Sequence, residues 1–293
     1  MTRHRTIVAA ALLLAALGVS AWTPAGAQDA QALRTRHDVM AAELANSPFG
    51  RPLLLQSNAS TSDPQGEVYA IVDHPFRTVQ AALQRATDWC DVLMLQFNVK
   101  RCVPSDDTLQ VAAGRKADHP VEQAYQLDFR YAVRATQADY LSVRMEAEAG
   151  PLGTRDYRLA LEAVPIDARR SFVHLSYAYA AGFAARLATE AYLATSGRDK
   201  VGFTVVGRDA AGVARYVGGI RGVAERNTMR YFLAIEAFLD GLAVPAEQRL
   251  EARLRDWFAA TERYPRQLRE MELDQYLAMK RREVQASRAA ARG

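Results

Sequence analysis

The sequence predicts an α+β protein in which an antiparallel sheet is covered on one side by helices. The first observation is an alternation of apolar and polar residues within the stretch 123–181. Its first run places apolar residues at every second position, namely Tyr125, Leu127, Phe129, Tyr131 and Val133. The second observation is the helical spacing of apolar residues over 224–242. Because side chains alternate across a strand, each run has one apolar face, and the later helix supplies a cover for it.

The alternating stretch predicts four strands, at roughly 123–134, 140–149, 155–164 and 171–180, joined by short turns. Consecutive strands with one apolar and one charged face are typical of an antiparallel meander whose second side lies in water.

The chain before the meander predicts a short helix, two strands, a second helix and a strand pair. In chain order, their approximate bounds are 28–45, 53–55, 66–72, 76–90, 93–103 and 108–113. Pro75 stands at the first turn of the second helix, where a missing N–H costs nothing.

The chain after the meander predicts a helix at 183–195, a short strand at 201–206 and then the long helix. One face of the long helix carries Ala224, Thr228, Tyr231, Ile235, Phe238 and Leu242. The remaining residues, 246–293, form apolar stripes at helical spacing and end in an Arg- and Ala-rich segment that we expect to be disordered.

The N-terminus has the pattern of a secretory signal peptide. Arg3 and Arg5 precede the apolar run 7–17, and Ala25-Gly26-Ala27 offers small residues for cleavage after Ala27. The alternative is an uncleaved membrane anchor. Cleavage predicts a periplasmic protein. It also reduces the formal charge from +4 to +2, which is too balanced to predict nucleic-acid binding.

The two cysteines are Cys90 and Cys102. An even number in an exported chain favours a disulfide, and two buried thiols that never meet are the alternative. Two cysteines without CxxC spacing and five scattered histidines predict no metal site, and no cofactor motif is present.

The order of elements resembles the START superfamily, also called polyketide cyclase-like, Bet v 1-like or helix-grip. The resemblance covers 52–243 and is carried by Gly66-Glu67-Val68-Tyr69-Ala70, Trp89-Cys90-Asp91-Val92-Leu93, the meander and the helix after Gly219. It implies a curved sheet around the long helix with an apolar cavity between them. Members of the superfamily bind lipids, sterols or other hydrophobic molecules, and some are cyclases or hydrolases.

The resemblance divides the chain into a signal peptide (1–27), an N-terminal helix and linker (28–51), a START-like domain (52–243) and a helical C-terminal extension (244–293). The inserted helix and strand at 183–206 and the C-terminal extension depart from the superfamily pattern. The extension is a candidate for peripheral membrane or envelope-protein contact through 246–293, and a packed accessory helix pair is the alternative.

The predicted ligand-binding residues point toward the expected cavity from the sheet and from the long helix. They are Tyr125, Phe129, Tyr131, Met145, Tyr177, Asn227, Tyr231 and Ile235. Asn227 and Tyr231 are one helical turn apart and would place polar groups at the cavity mouth. The alternatives are a solvated helix face for Asn227 and Tyr231, and an ordinary solid core for the aromatic side chains.

No catalytic residue is assigned. His174 lies alone in a strand, and no GxSxG elbow precedes a helix to supply a nucleophile. Gly218-Gly219-x-x-Gly222 beside Arg221 matches neither a dinucleotide nor a phosphate-binding loop pattern, so a flexible turn is the simpler interpretation.

Three functions therefore remain open from the sequence. The leading hypothesis is an exported START-like protein that binds or shuttles a hydrophobic small molecule or lipid without chemistry. The second is a hydrolase or cyclase acting in the same cavity through Glu225, Tyr231 or His174. The third is an envelope interaction protein that uses its C-terminal helices.

Overall fold

The computed structural model describes residues 25–58, 60–114, 120–195 and 197–290. The predicted signal peptide, 1–27, falls almost entirely outside the described residues. Across the described ranges, no helix is both long enough and apolar enough to cross a membrane.

Within these ranges the chain forms eight α-helices and ten strands. The helices are α1 (Ala25–Ala45), α2 (Phe76–Leu83), α3 (Ala86–Leu93), α4 (Phe183–Ala194), α5 (Gly219–Asp240), α6 (Arg249–Glu262), α7 (Pro265–Leu268) and α8 (Leu273–Ala290). The strands are β1 (Leu53–Ser57), β2 (Gln65–Val72), β3 (Val99–Pro104), β4 (Thr108–Ala113), β5 (Tyr125–Gln137), β6 (Tyr140–Ala149), β7 (Thr154–Pro165), β8 (Ser171–Ala181), β9 (Val205–Arg208) and β10 (Ala214–Tyr216).

Eight strands form one antiparallel sheet in the order β1-β2-β8-β7-β6-β5-β4-β3. The predicted meander is confirmed, because β3 to β8 pair in sequence order. Register irregularities occur in β5 between Val133 and Ala135 and in β7 between Arg155 and Arg158. Bulges bend a strand and increase its twist, which favours a sheet that curves around a helix.

Helix α5 lies against the inner face of this sheet and contacts β1, β2 and β8. Gly66 in β2 allows a close approach, since a Cβ atom there would lie 2.3 Å from Thr228 Oγ1 and 3.3 Å from the Ala224 carbonyl oxygen. The apolar face of the meander and the buried side of α5 belong to one continuous core. The predicted α+β helix-grip architecture is therefore confirmed.

The sequence predicts that the outer face of the sheet lies in water, but part of this face is covered by a helix. Helix α1 packs on it, and a second apolar cluster there joins Leu33, Met40 and Leu44 of α1 to Tyr69 and Phe172 of the sheet. The alternation pattern missed this cover because Tyr69 and Phe172 stand among the polar positions of their strands.

The single helix predicted over 76–90 is two helices. The chain breaks at Arg85, whose backbone is extended (φ −124°, ψ 139°) and precedes the first residue of α3. The strand predicted from Leu93 begins only at Val99, because α3 continues to Leu93 and a turn follows it. In that turn the Gln96 side chain donates a buried hydrogen bond to the Arg230 carbonyl oxygen (3.0 Å).

The predicted disulfide joins Cys90 of α3 to Cys102 of β3, with the Cα atoms 5.4 Å apart. Both residues are buried in the core. The bond therefore ties the end of the helix pair to the edge strand of the sheet.

The C-terminal helices pack against the domain. Tyr276 donates a hydrogen bond from its hydroxyl to the Leu95 carbonyl oxygen (2.7 Å), and the fully buried Lys280 donates to the carbonyl oxygens of Gln96 (2.9 Å) and Val99 (2.6 Å). The Ser287 hydroxyl pairs with the backbone of Cys102, so α8 covers the edge strand β3. Membrane or envelope contact through 246–293 remains a prediction, and the buried stripes are not available for it.

The prediction of a disordered end is wrong as far as Ala290, because α8 continues to that residue. The inserted segment also differs from its prediction. Its helix α4 is present, but the strand begins at Val205 and pairs with the unpredicted β10.

We predict that Gly66→Ala destabilises the protein by about 1–3 kcal/mol, the usual cost of an added core methyl group without space. The added Cβ pushes against Thr228 and the α5 backbone, so the helix must shift. Chemical denaturation monitored by circular dichroism measures the effect.

Gly207→Ala is the matched control. Its nearest neighbour is the Arg215 side chain at 3.6 Å, so we expect a change within about 0.5 kcal/mol. Equal stability of the two variants would contradict the close helix–sheet approach.

Candidate functional site

A cavity of about 140 Å³ lies between α5, the turn after α3 and the inner face of the sheet. Its lining comes from five strands, from the helices α3 and α5, and from two turns, the one after α3 and the one between β6 and β7. The lining residues are Leu93, Gln96, Phe97, Asn98, Val99, Val111, Ala113, Leu127, Phe129, Pro151, Tyr157, Tyr177, Asn227, Arg230 and Tyr231. Phe97, Asn98, Phe129 and Pro151 are half-buried, which places that end of the cavity at the surface.

Aromatic rings form one wall of the cavity. The Tyr177 ring lies 5.2 Å from Tyr231 and 6.3 Å from Tyr157, between ring centroids, and Phe129 meets Tyr157 edge-on at 6.3 Å. Burial raises the pKa of the phenol groups of Tyr157, Tyr177 and Tyr231 above the ordinary value. These tyrosines therefore remain neutral at physiological pH and act as hydrogen-bonding groups with apolar rings.

Another part of the cavity lining is polar. Asn227 and Arg230, on successive turns of α5, line it together with Gln96 and Asn98 from the turn. Burial raises the pKa of the Tyr177 phenol and the neighbouring Asn227 side chain lowers it, so the aromatic and polar parts of the lining meet at this pair. The lining thus combines aromatic rings from the sheet and α5 with amide and guanidinium groups from α5 and the turn after α3.

Four of the eight predicted ligand-binding residues line this cavity, namely Phe129, Tyr177, Asn227 and Tyr231. The other four are not in its lining. Tyr131, Met145 and Ile235 are buried in the packed core, and Tyr125 is half-buried against it. The alternation pattern shows that a side chain points inward, but it does not show whether that side chain lines the cavity or packs in the core. Both kinds of residue lie on the same apolar face of the sheet.

Sequence reasoning missed several lining residues. Tyr157 follows the same alternation as Leu159 and Leu161, and this signal was sufficient to find it. Arg230 had no such signal, because an arginine on a helix is usually solvated. Gln96 and Asn98 were missed because their turn was read as part of a strand.

His174 lies on the outer face of the sheet, away from the cavity. Its Nδ1 is 3.0 Å from Glu162 Oε2, its Nε2 is 3.2 Å from Glu67 Oε2, and its ring stacks on Tyr69 at 4.3 Å. Burial by itself lowers the pKa of His174, but the hydrogen bonds and charges of both carboxylates outweigh it, and the pKa is raised. The hydrogen bond with His174 is the main reason that the pKa of Glu67 falls to about 2.

Glu225 is fully buried on α5 and holds neighbouring segments together. Its carboxylate accepts hydrogen bonds from the Ser57 hydroxyl (2.5 Å), from the backbone N–H groups of Phe203 (2.5 Å) and Thr204 (2.9 Å), and from the Thr204 hydroxyl (2.6 Å). Of the three side chains considered for catalysis, only Tyr231 lines the cavity.

The strand order, with β2 beside β8 and α5 across the inner face, defines a START-like or Bet v 1-like helix-grip fold with a small cavity beside the long helix. No protein-family model matches the chain, and no curated protein matches it.

Solved structures with this fold are similar to the chain. The aromatase/cyclase Zhui from Streptomyces sp. R1128 is 12% identical, over 64% of this chain and 96% of that chain, with a TM-score of 0.36. A norcoclaurine synthase point mutant from Thalictrum flavum is 17% identical over 48% and 89% (TM-score 0.34). A START superfamily protein from Mycobacterium smegmatis is 13% identical over 46% and 95% (TM-score 0.29). At these identities and TM-scores, the fold assignment rests on the strand order and helix position rather than on the matches.

We predict that His174→Gln changes the pH dependence of stability. The raised pKa of His174 means that its charged form stabilises the folded state fully below pH 6.5, and this contribution is lost as pH rises through the folded-state pKa. The variant should therefore lose about 1 kcal/mol more at pH 6 than at pH 9, the difference between a charged and a neutral hydrogen bond.

Denaturant unfolding between pH 5 and pH 9 measures this difference. His74→Gln is the control, because His74 bonds Asp240 (2.8 Å) and takes no part in the network of His174, Glu67 and Glu162. The part of the pH dependence of stability that His174 causes should therefore remain in this variant. A His174→Gln profile parallel to the wild type would contradict the role assigned to the two carboxylates.

Proposed function

We propose that the protein binds a small hydrophobic molecule in the cavity between α5 and the sheet, without chemistry. The observation that carries the proposal is the lining itself, in which aromatic rings face a few convergent polar groups, as is usual for ligand sites.

The cavity volume limits the ligand. Drug-sized ligands occupy pockets of about 300–1,000 Å³, whereas a dry cavity of about 150 Å³ holds one benzene ring. At about 140 Å³, this cavity suits a single-ring molecule. A lipid would require the cavity to expand, so the small-molecule form of the hypothesis is favoured over lipid shuttling.

The enzyme alternative has weaker support. His174 lies across the sheet from the cavity, and Glu225 is occupied by Ser57, Phe203 and Thr204. Burial keeps the Tyr231 phenol protonated, so it is not a base at neutral pH.

We predict that benzyl alcohol, a ring with one polar group, binds the protein and that Ala113→Phe weakens this binding by more than tenfold. Ala113 lines the cavity, and a phenyl side chain there fills the space that the ligand needs. Ligand-observed NMR titration measures the affinity, and circular dichroism checks the fold of the variant.

Gln110→Phe is the matched control, because Gln110 is exposed on the opposite face of the same strand. It adds the same side chain outside the cavity and should leave binding unchanged. If benzyl alcohol does not bind the wild type, or binds both variants equally, the cavity is not the binding site.

We also propose that the protein works in the bacterial envelope. The N-terminal sequence pattern supports export, and the Cys90–Cys102 disulfide suits an oxidising compartment. Cleavage after Ala27 would leave α1 free to start at Gln28 and to cover the outer face of the sheet.

We predict that the full gene expressed in a bacterial host yields a periplasmic protein whose intact mass corresponds to residues 28–293. Ala27→Leu should block this processing, because the peptidase needs a small residue there. Ala41→Leu, on the exposed side of α1, is the control that should be processed normally. A cytoplasmic product that retains residues 1–27 would contradict export.

A further inference from the structure

The charge of the cavity lining has one sign. Arg230 is the only side chain of the lining with a full charge at neutral pH, and none of the fifteen lining residues carries a carboxylate. The tyrosines are neutral at pH 7, and burial raises their pKa values further above the ordinary value of about 10. Any charge that the cavity offers to a ligand is therefore positive.

Arg230 is buried, with an exposed fraction of 6%. Its Nη2 donates to the Leu268 carbonyl oxygen (3.2 Å) and to Glu270, and its guanidinium lies 4.9 Å from the centroid of the Phe97 ring. Its Nε is buried without a hydrogen-bond partner in the described part of the chain. The hydrogen-bonding capacity of this guanidinium is thus only partly used by the protein.

The one carboxylate beside Arg230 is shared. Lys200 Nζ also lies 3.6 Å from Glu270 Oε1, so two cations face a single acid. Burial lowers the pKa of Lys200, the charge of Glu270 raises it, and the positive charge of Arg230 lowers it, with a lowered pKa as the result. The group of three keeps a net positive charge next to the cavity. A buried cation that is incompletely compensated favours an added anion.

From this charge distribution we infer that the ligand is a single-ring aromatic or similarly sized hydrophobic acid, held with its ring on the tyrosine wall and its carboxylate toward Arg230. The inference rests on the proposed binding function and deepens it. An arginine forms planar, charge-assisted hydrogen bonds with a carboxylate. Asn227, from the preceding turn of α5, and Gln96 and Asn98, from the turn after α3, supply amide groups at the same polar side.

The inference is tested with benzoate and benzamide, which have nearly the same shape and differ in charge. We expect the wild-type mature protein at pH 7 to bind benzoate at least tenfold more tightly than benzamide. Isothermal titration and ligand-observed NMR give both affinities, with benzyl alcohol as the probe for the cavity itself.

Arg230→Gln should reduce the benzoate affinity at least tenfold and bring the ratio of the two affinities close to one. Arg230→Lys keeps the charge and should retain part of the preference. Arg221→Gln is the matched control, since Arg221 lies on the same helix, bonds the Ser57 hydroxyl (2.8 Å) and is outside the lining.

The outcomes separate the two proposals. If benzyl alcohol and benzamide bind but benzoate has no advantage in the wild type, the acid inference is overturned and the binding function stands. If none of the three probes binds, both are overturned. Because the benzoate-to-benzamide ratio is measured first in the wild type, instability of an Arg230 variant does not leave the inference untested.

Discussion

The burial of α5 between the sheet and the C-terminal helices is the constraint on which the rest of the structure depends. From Phe232 to Leu239 this helix is buried on nearly all sides, and a helix that is apolar all round must be covered all round. The sheet covers one side, with Gly66 permitting close approach, and α6 covers another, where Arg253 lies over the Phe238 ring at 3.9 Å. The C-terminal extension is therefore part of the packing of the domain.

The same helix explains the position of the cavity. Its C-terminal half carries Ile235 and Phe238, which are buried in the packed core. Its middle carries Asn227, Arg230 and Tyr231, whose polar ends cannot be buried against an apolar sheet without partners. The sheet faces them with the tyrosines Tyr157 and Tyr177 beside aliphatic residues, and this mixed lining surrounds the cavity. The cavity lies where α5 changes from polar to apolar.

The sequence allowed the architecture to be predicted because alternation in the meander and helical spacing in 224–242 are long, regular signals. It was less informative where a local feature depends on distant residues. The turn at Gln96 is held by hydrogen bonds with α5 and α8, and the cover of the outer face depends on α1, far away in the chain. The cavity was half predicted for the same reason. Periodicity identifies the face of a side chain, whereas a void depends on how the facing side chains meet.

The two sides of the cavity make different contributions to recognition. Burying a ring against the tyrosine wall yields affinity in proportion to apolar area, about 25 cal/mol per Å², and any ring of the right size obtains it. The polar side discriminates, because a ligand that displaces water from Arg230, Asn227 and Gln96 without replacing its hydrogen bonds leaves buried groups unpaired, at about 1–3 kcal/mol each. A cavity of this size has room for few such groups, so each carries a large share of the selectivity. Under the proposed function, selectivity therefore lies mainly at the side where α5 meets the turn after α3.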